Sequence, residues 1–282
     1  MPINNEVAAT YLEVYNEKLL ELTGGRRRER EDLEREAQKY AIKETALRFF
    51  QNARPDEKKA IWNAIYAAHI ARKSGILVTR ETVVKVISAD QSWKKSSGHA
   101  FEEIVKELSN MALEGTGIQI ILQRDVDFDT INNEAEDKDW LRTQTRSSVF
   151  DLFAMKDGYI FGCIQAKTSI RDRVTRDREP SRNAMARFFW SIVFVLDGDF
   201  LRLPKFQCMV NGGSQEFEDN GWHALYAFSL PNSELNHRIK LLDSEMTIFK
   251  MHAVAAANEW FTRRQWFTAG WMPREAVALK KN

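Results

Sequence analysis

The stretch VFDLFAMKDGYIFGCIQAK, Val149 to Lys167, reads as two apolar β runs joined by Lys156-Asp157-Gly158, a turn of the hairpin type. One carboxylate, Asp151, stands among the apolar residues of the first run, and one ammonium, Lys167, ends the second. An unpaired charge in a mostly apolar sheet is costly, so such groups pair, bind a metal or point to the rim. A salt bridge at the end of the hairpin is the plain reading, and a catalytic pair is the other.

Upstream of the hairpin, GHAFEEIVKELSNMALEG carries Phe101, Ile104, Val105, Leu108 and Met111 at helical spacing, with Gly115-Thr116-Gly117 as its exit. IQIILQRDV follows as a strand, and DFDTINNEAEDKDW reads as a polar, acidic loop. Downstream, PSRNAMARFFW reads as a helix opening on Pro180, followed by β-like stretches SIVFVLDG, FQCMV and ALYAFSL and a helical region from Ser244 to Trp266.

The N-terminal third is helical throughout. Val7, Tyr11, Val14, Tyr15, Leu19 and Leu22 mark a first helix, a second runs from near Arg27 to Phe50, and a third opens on Pro55. SGILVTRETVVKVISAD reads as a turn and a fourth helix with Thr79 as N-cap, after which the pattern changes at Asp90. Helices three and four form a plain helical hairpin rather than a helix-turn-helix, because no basic recognition helix follows. The charge run RRREREDLEREAQ alternates in sign and reads as a solvated helix face. The expected division is therefore a helical domain of residues 1–90 and a second domain of residues 91–282.

The composition of the 282 residues, 44% hydrophobic and 29% charged with six prolines, is that of an ordinary globular protein. Lys and Arg number 41 against 40 Asp and Glu, so a polyanion partner would need a local patch. Cys163 and Cys208 both fall in apolar β-like runs without a CxxC spacing and read as structural thiols of a reducing cytoplasm. The N-terminus lacks a signal-peptide pattern and no apolar run is long enough to span a bilayer, so no membrane partner is expected. Five scattered histidines lack zinc-ligand spacing, and the absence of GxxxxGK[ST] argues against nucleotide triphosphate hydrolysis. Pro55-Asp56 opens a helix with no hairpin after it and is a decoy. Trp222, Trp260, Trp266 and Trp271 read as core aromatics before base-stacking ones.

An Asp on one strand, a turn, then Gln-x-Lys on the next, with an acidic helix before them, is a set that phosphodiester hydrolysis can use. A carboxylate holds a hard divalent cation, the cation polarises phosphate and acidifies water, and an ammonium stabilises charge. Over roughly Ser97 to Val195 the sequence resembles the PD-(D/E)xK nuclease superfamily, and within it the type II restriction endonucleases. The resemblance implies an α/β fold, a mixed β-sheet flanked by helices, with the helical N-terminal domain appended. It also implies Mg²⁺ as cofactor, with Asp151 as metal ligand, Lys167 as catalytic lysine, and a glutamate of SGHAFEE helping to hold metal, Glu102 in preference to Glu103. Phe150 replaces the usual proline, and Gln165 replaces the acidic residue two before the lysine.

After Lys167, the spacer Thr168-Ser169-Ile170 leads into Arg171-Asp172-Arg173. This is similar to the group of restriction enzymes that read CCGG with an Arg-(Asp/Glu)-Arg motif behind the catalytic lysine. Those enzymes often move the missing acidic ligand to the next helix, at a position that here falls on Pro180 with Glu179 the nearest carboxylate. Arginine forks match guanine O6 and N7, and a carboxylate between them accepts from cytosine amino groups. Gln165 to Arg187 holds seven basic and three acidic residues, the local patch sought above. The second tripeptide, Arg176-Asp177-Arg178, sits too far from the lysine for base reading and is expected to contact phosphates or to lead Glu179 into the metal site, and Arg182 is a further DNA-binding candidate.

The resemblance thus implies cleavage of double-stranded DNA at a palindrome containing CCGG, in its narrowest form flanked by A or T and cut before the first C to leave 5′ overhangs. It implies a homodimer or higher homo-oligomer and functional pairing with a DNA methyltransferase in a prokaryotic cytoplasm. Two alternatives stay open: a structure-specific nuclease of resolvase or repair type, and a DNA-binding protein whose Gln165 marks a decayed site.

Overall fold

The computed structural model describes residues 2–24, 30–74, 80–147, 149–168, 174–230 and 237–273. The chain forms two compact units, residues 1–105 and 106–282. The division expected after Asp90 falls inside α4 (Arg80–Ala112), and the boundary between the units lies further along the same helix.

The first unit is helical: α1 (Pro2–Thr23), α2 (Arg30–Phe50), α3 (Pro55–Ser74) and the greater part of α4. Val7, Tyr11 and Val14 of α1, Ala41 and Ile42 of α2, and Ile61 and Ile65 of α3 are buried at helical spacing. His69 bridges the helices by its two ring nitrogens, one 3.0 Å from the Tyr11 hydroxyl and the other 2.9 Å from the Ala89 carbonyl. Burial lowers its pKa from 6.5 to about 4. The charge run shows the solvated face expected of it, with Arg35 and Asp32 paired and exposed; the part at 26–29 and the Thr79 cap lie outside the described residues.

One expectation for this region fails. The sequence suggested a break after Asp90, yet α4 is a single helix of 33 residues. Its apolar stripe is bridged where it looked interrupted: between Trp93 and Ala100 the buried positions are Ser96 and Ser97. Gln38 of α2 accepts from the hydroxyls of Ser92 at 2.5 Å and Ser96 at 3.5 Å, so these serines act as core positions.

The second unit is built on a six-stranded sheet in sequence order: β1 (Ile118–Leu122), β2 (Leu152–Lys156), β3 (Tyr159–Lys167), β4 (Trp190–Val195), β5 (Ala224–Ala227) and β6 (Ile239–Leu241). The first three pair antiparallel and the rest parallel, which is the mixed sheet expected. Asp157 and Gly158 take φ of 50° and 80°, as a two-residue hairpin turn of type I′ requires. Asn110 of α4 caps the outer edge of β1, accepting from the Ile120 N–H at 2.7 Å and donating to its carbonyl at 2.8 Å.

A bulge in β3 sets which side chains face the site. The register jumps from Gly162 opposite Ala154 to Ile160 opposite Met155, leaving Phe161 as the extra residue. Ile160 and Cys163 therefore share one face, in a cluster with Leu141, Phe150, Phe153, Ala184 and Phe189. By alternation from Cys163, Gln165 and Lys167 lie on that face too. Helices α5 (Ala135–Arg146), α6 (Val174–Ala186) and α7 (Pro204–Asn211) belong to this side. The other face carries α8 (Thr247–Arg263), whose Phe249 packs on Trp190, Phe194 and Tyr226. Gly162 is tightly enclosed here, since a Cβ would lie 3.0 Å from the Ala154 methyl and 3.2 Å from the Trp190 ring, so a larger residue would make its neighbours give way.

Local expectations fail at several points for separate reasons. The acidic stretch contains α5 rather than only loop: Glu136 and Asp137 occupy its first turn, favourable at a helix N-terminus, and Trp140 stacks on Phe189 at 5.3 Å. FQCMV lies in α7, because Pro204 supplies a helix start that outweighs the β-like run. Cys208 is accordingly half-buried on a helix, whereas Cys163 is buried in β3 and its thiol pKa is pushed well up by burial. Helix α6 begins at Val174, so Pro180 lies inside it rather than at its opening. The short edge strand β6 had no clear signal. Trp222 and Trp260 are buried as expected of core aromatics, while Trp266 is 66% exposed.

Candidate active site

Asp151 sits where the hairpin opens, just before β2. Its N–H donates to the Ile164 carbonyl at 2.9 Å and its carbonyl accepts from Gln123 at 3.0 Å, so the backbone is held from both sides. Its carboxylate then turns toward the end of β3, where Oδ2 accepts from the Ala166 N–H at 2.7 Å and from Lys167 Nζ at 2.6 Å. The pair is largely withdrawn from water, Asp151 at 13% and Lys167 at 22% side-chain exposure. Oδ1 accepts no hydrogen bond from any described residue. One oxygen is saturated by two donors and the other stays open beside an ammonium.

An open carboxylate oxygen suits a hard divalent cation, which takes oxygen ligands and completes its shell with water and substrate phosphate. Among the described residues no three His, Cys, Asp or Glu side chains gather as a ready-made cage.

Gln165, two residues before Lys167, is not aimed at such an ion. It is fully buried, its amide nitrogen donates to the carbonyls of Val149 at 3.3 Å and Asp177 at 3.1 Å, and its oxygen accepts from Trp222 Nε1 at 2.7 Å.

The remaining expected residues are placed as follows. Glu102 lies on α4 in the first unit, with its carboxylate 3.4 Å from His99, while Glu103 pairs with Lys39 at 2.6 Å. Arg171, Asp172 and Arg173 lie outside the described residues. Glu179 and Arg176 occupy the exposed side of α6, and Ser181, Ala184 and Met185 its buried side. Arg178, expected on phosphate, is engaged within the protein: Nε donates to the Met209 carbonyl at 3.2 Å, Nη2 to that of Asp219, and the guanidinium lies over the Phe217 ring. Burial, with Arg182 nearby, lowers its pKa. Arg182, 46% exposed, pairs with the Asp219 carboxylate at 2.6 Å.

Two groups at the site were not anticipated. The Ala166 N–H carries no side-chain signal at all, and Trp222 comes from a segment some 55 residues beyond Lys167 that only the parallel β4–β5 pairing brings close. Buried His223 stands next to it, accepting from the Ser191 N–H at 3.0 Å through Nδ1 and facing the Thr268 carbonyl at 2.9 Å through Nε2. Burial lowers its pKa to about 3.

Among the described residues no helix is long and apolar enough to cross a membrane. The family model for BsaWI restriction endonuclease type 2 matches residues 123–251, which span β2 to β6 and the whole Asp151–Lys167 site. A comparison with curated proteins found no match. Among solved structures, the pre-specific complex of restriction endonuclease BsaWI with DNA is 45% identical, with 98% of this chain and 100% of that one covered at a TM-score of 0.66. The specific complex of restriction endonuclease AgeI with DNA is 19% identical, with 88% and 91% covered at a TM-score of 0.54, and shares the fold. With that identity over the full length, and with an aspartate and a lysine brought together at the end of a mixed sheet, the chain belongs to the BsaWI family of type II restriction endonucleases.

Proposed function

We propose that the chain hydrolyses double-stranded DNA in the presence of Mg²⁺ at a palindrome containing CCGG, in its narrowest form with A or T on each side and with cutting before the first C to leave 5′ overhangs. The observation that carries the catalytic part is the 2.6 Å contact between Lys167 and one oxygen of Asp151, with the second oxygen open. The DNA-bound state of the two similar solved structures supports duplex DNA as the substrate.

When bound, the ion supplies Lewis acidity, polarising the scissile phosphate and acidifying a water. Asp151 Oδ1 would hold it, with Glu102 and Glu179 as the further carboxylates proposed for it. The Ala166 N–H and Lys167 orient the Asp151 carboxylate through Oδ2. Lys167 also places a fixed positive charge where negative charge grows on the phosphate, in a setting largely withdrawn from water and so weakly screened.

Base reading is assigned to Arg171, Asp172 and Arg173, with Arg176 and Arg182 on phosphates. A two-fold symmetric site calls for a homodimer or larger assembly, with the helical region of residues 1–90 as the proposed assembly element. A DNA methyltransferase that protects the same palindrome in the prokaryotic cytoplasm completes the reading. Incubation with long duplex DNA and Mg²⁺, followed by sequencing of the ends, tests it: discrete ends sharing one CCGG palindrome are expected. Nicks placed by DNA structure rather than sequence, or intact DNA, reject it.

A further inference from the structure

We infer that Gln165 is a positioning residue that fixes the first half of helix α6 against the Asp151–Lys167 pair; its catalytic meaning rests on the nuclease reading above. The orientation of its amide is decided by chemistry. An indole N–H can only donate, so the oxygen must face Trp222 and the amino group must face the carbonyls of Val149 and Asp177. One buried side chain thus joins the segment leading into Asp151, the first two turns of α6 and the approach to β5. Lys167 is the next residue on the same face of the same strand.

Helix α6 needs such a tie. Pro180 has no N–H to bond the Arg176 carbonyl, so the helix is weakened at its middle and its two halves are held separately. The second half is fastened to β4 by the 2.7 Å contact between Ser181 and Ser191, and the first by Gln165 and Arg178. The first half carries Arg176 and Glu179 on its exposed side and follows directly in sequence from Arg171-Asp172-Arg173. Glutamate at this position, the residue type of the superfamily pattern, would turn carboxylate oxygens toward two carbonyl oxygens and break the tie. The amide is therefore not a weakened metal ligand but a donor pair that a carboxylate cannot replace.

The test is Gln165→Glu in the full-length protein, read by amide hydrogen exchange and by single-turnover cleavage of duplex DNA. At pH 8, amides of residues 174–179 should exchange tenfold or more faster than in the parent, with those of β4 and β5 unchanged. Cleavage should fall at least tenfold and recover as pH is lowered to 6, where the carboxyl, holding its proton against the facing carbonyls, regains one donor. Cleavage equal to or faster than the parent at pH 8 overturns the inference, as does unchanged exchange in α6, or faster exchange with cleavage unaltered. Should the variant not fold, Gln165→Met, equal in length and uncharged, carries the same exchange and cleavage expectations without the pH recovery; failure of both to fold makes the amide a folding element only and also overturns it. If the parent cuts no duplex, the nuclease reading fails, and the exchange result alone decides whether Gln165 positions α6.

Discussion

Lys167 and Gln165 stand two residues apart on one face of β3, and they manage their polar atoms in opposite ways. Gln165 is fully buried and has both donors and one acceptor engaged, each with a different segment of the chain. Lys167 and its partner Asp151 remain partly exposed, and one Asp151 oxygen accepts no hydrogen bond from any described residue. A group that fixes geometry gains by filling its hydrogen-bonding capacity, because a buried unmade bond costs about 1–3 kcal/mol. A group that must take up an ion or a phosphate has to keep capacity in reserve. The same contrast separates Arg178, engaged with two carbonyls, from Arg182, paired with an exposed carboxylate.

Removing the open oxygen should have the largest effect. Asp151→Ala is expected to lower the cleavage rate by on the order of 10³-fold or more, since it deletes the proposed metal ligand and leaves Lys167 without its partner. DNA binding measured without metal should persist. Lys167→Ala, which keeps the carboxylate, should cost on the order of 10²–10³-fold. Single-turnover assays at saturating protein check both, and a variant that cuts at the parental rate removes Asp151 from the site.

How far the sequence disclosed this contrast depends on how local each signal is. The hairpin, its turn and the charged residues at its open end are encoded within Val149–Lys167, so the pair was readable as a pair. Gln165 was readable as a departure from the superfamily pattern, but its role was not, because two of its three partners are backbone carbonyls and the third arrives from Trp222. Helix α5 hid because its residues are mostly polar, with Trp140 and Leu141 alone making much of its apolar face. The β-like run FQCMV misled because five apolar-rich residues fit either period, and only Pro204 favours the helix. The continuity of α4 hid behind serines that look like a linker and are in fact held by Gln38.

His223 extends the engaged class to a titratable group. Its pKa is about 3 in the folded protein against 6.5 for the free side chain, so the unfolded chain binds the extra proton first. Its contribution to stability is complete above pH 6.5 and is lost as pH falls from 6.5 toward 3, amounting to about 2 kcal/mol at pH 5. His69, lowered to about 4, acts in the same direction. His223→Gln, which can accept from Ser191 and donate to Thr268 without titrating, should lose less stability between pH 7 and 5 than the parent. Denaturant midpoints at the two pH values measure this, and parallel losses would show that His223 is not the group responsible.

Arg178→Ala should act through stability and the hold on α6 rather than through a phosphate contact. It strips donors from the carbonyls of Met209 and Asp219 and a cation from the Phe217 ring, a loss of about 1–2 kcal/mol given its partial exposure. The salt dependence of DNA binding should stay as it was. A shallower dependence with unchanged stability would move Arg178 into the open class.

Arg182 makes the converse case, and its effect on the folded protein should be the smallest. Exposed ion pairs contribute between nothing and about 1 kcal/mol, so losing the 2.6 Å contact with Asp219 by Arg182→Ala should shift stability by less than about 0.5 kcal/mol. The guanidinium can exchange that carboxylate for a DNA phosphate without breaking any buried bond. Binding of duplex DNA should then weaken by a similar factor for cognate and unrelated sequences, and the slope of log K against log salt should fall by about 0.9 for the phosphate contact removed. Asp219→Asn should strengthen binding slightly, because it releases Arg182 and removes a negative charge from the same surface while leaving the Asp219 carbonyl with Arg178. If Arg182→Ala leaves the slope unaltered, exposure alone does not identify the groups that meet DNA. The contrast between engaged and open side chains would then hold for the Asp151–Lys167 site and not for the helix beside it.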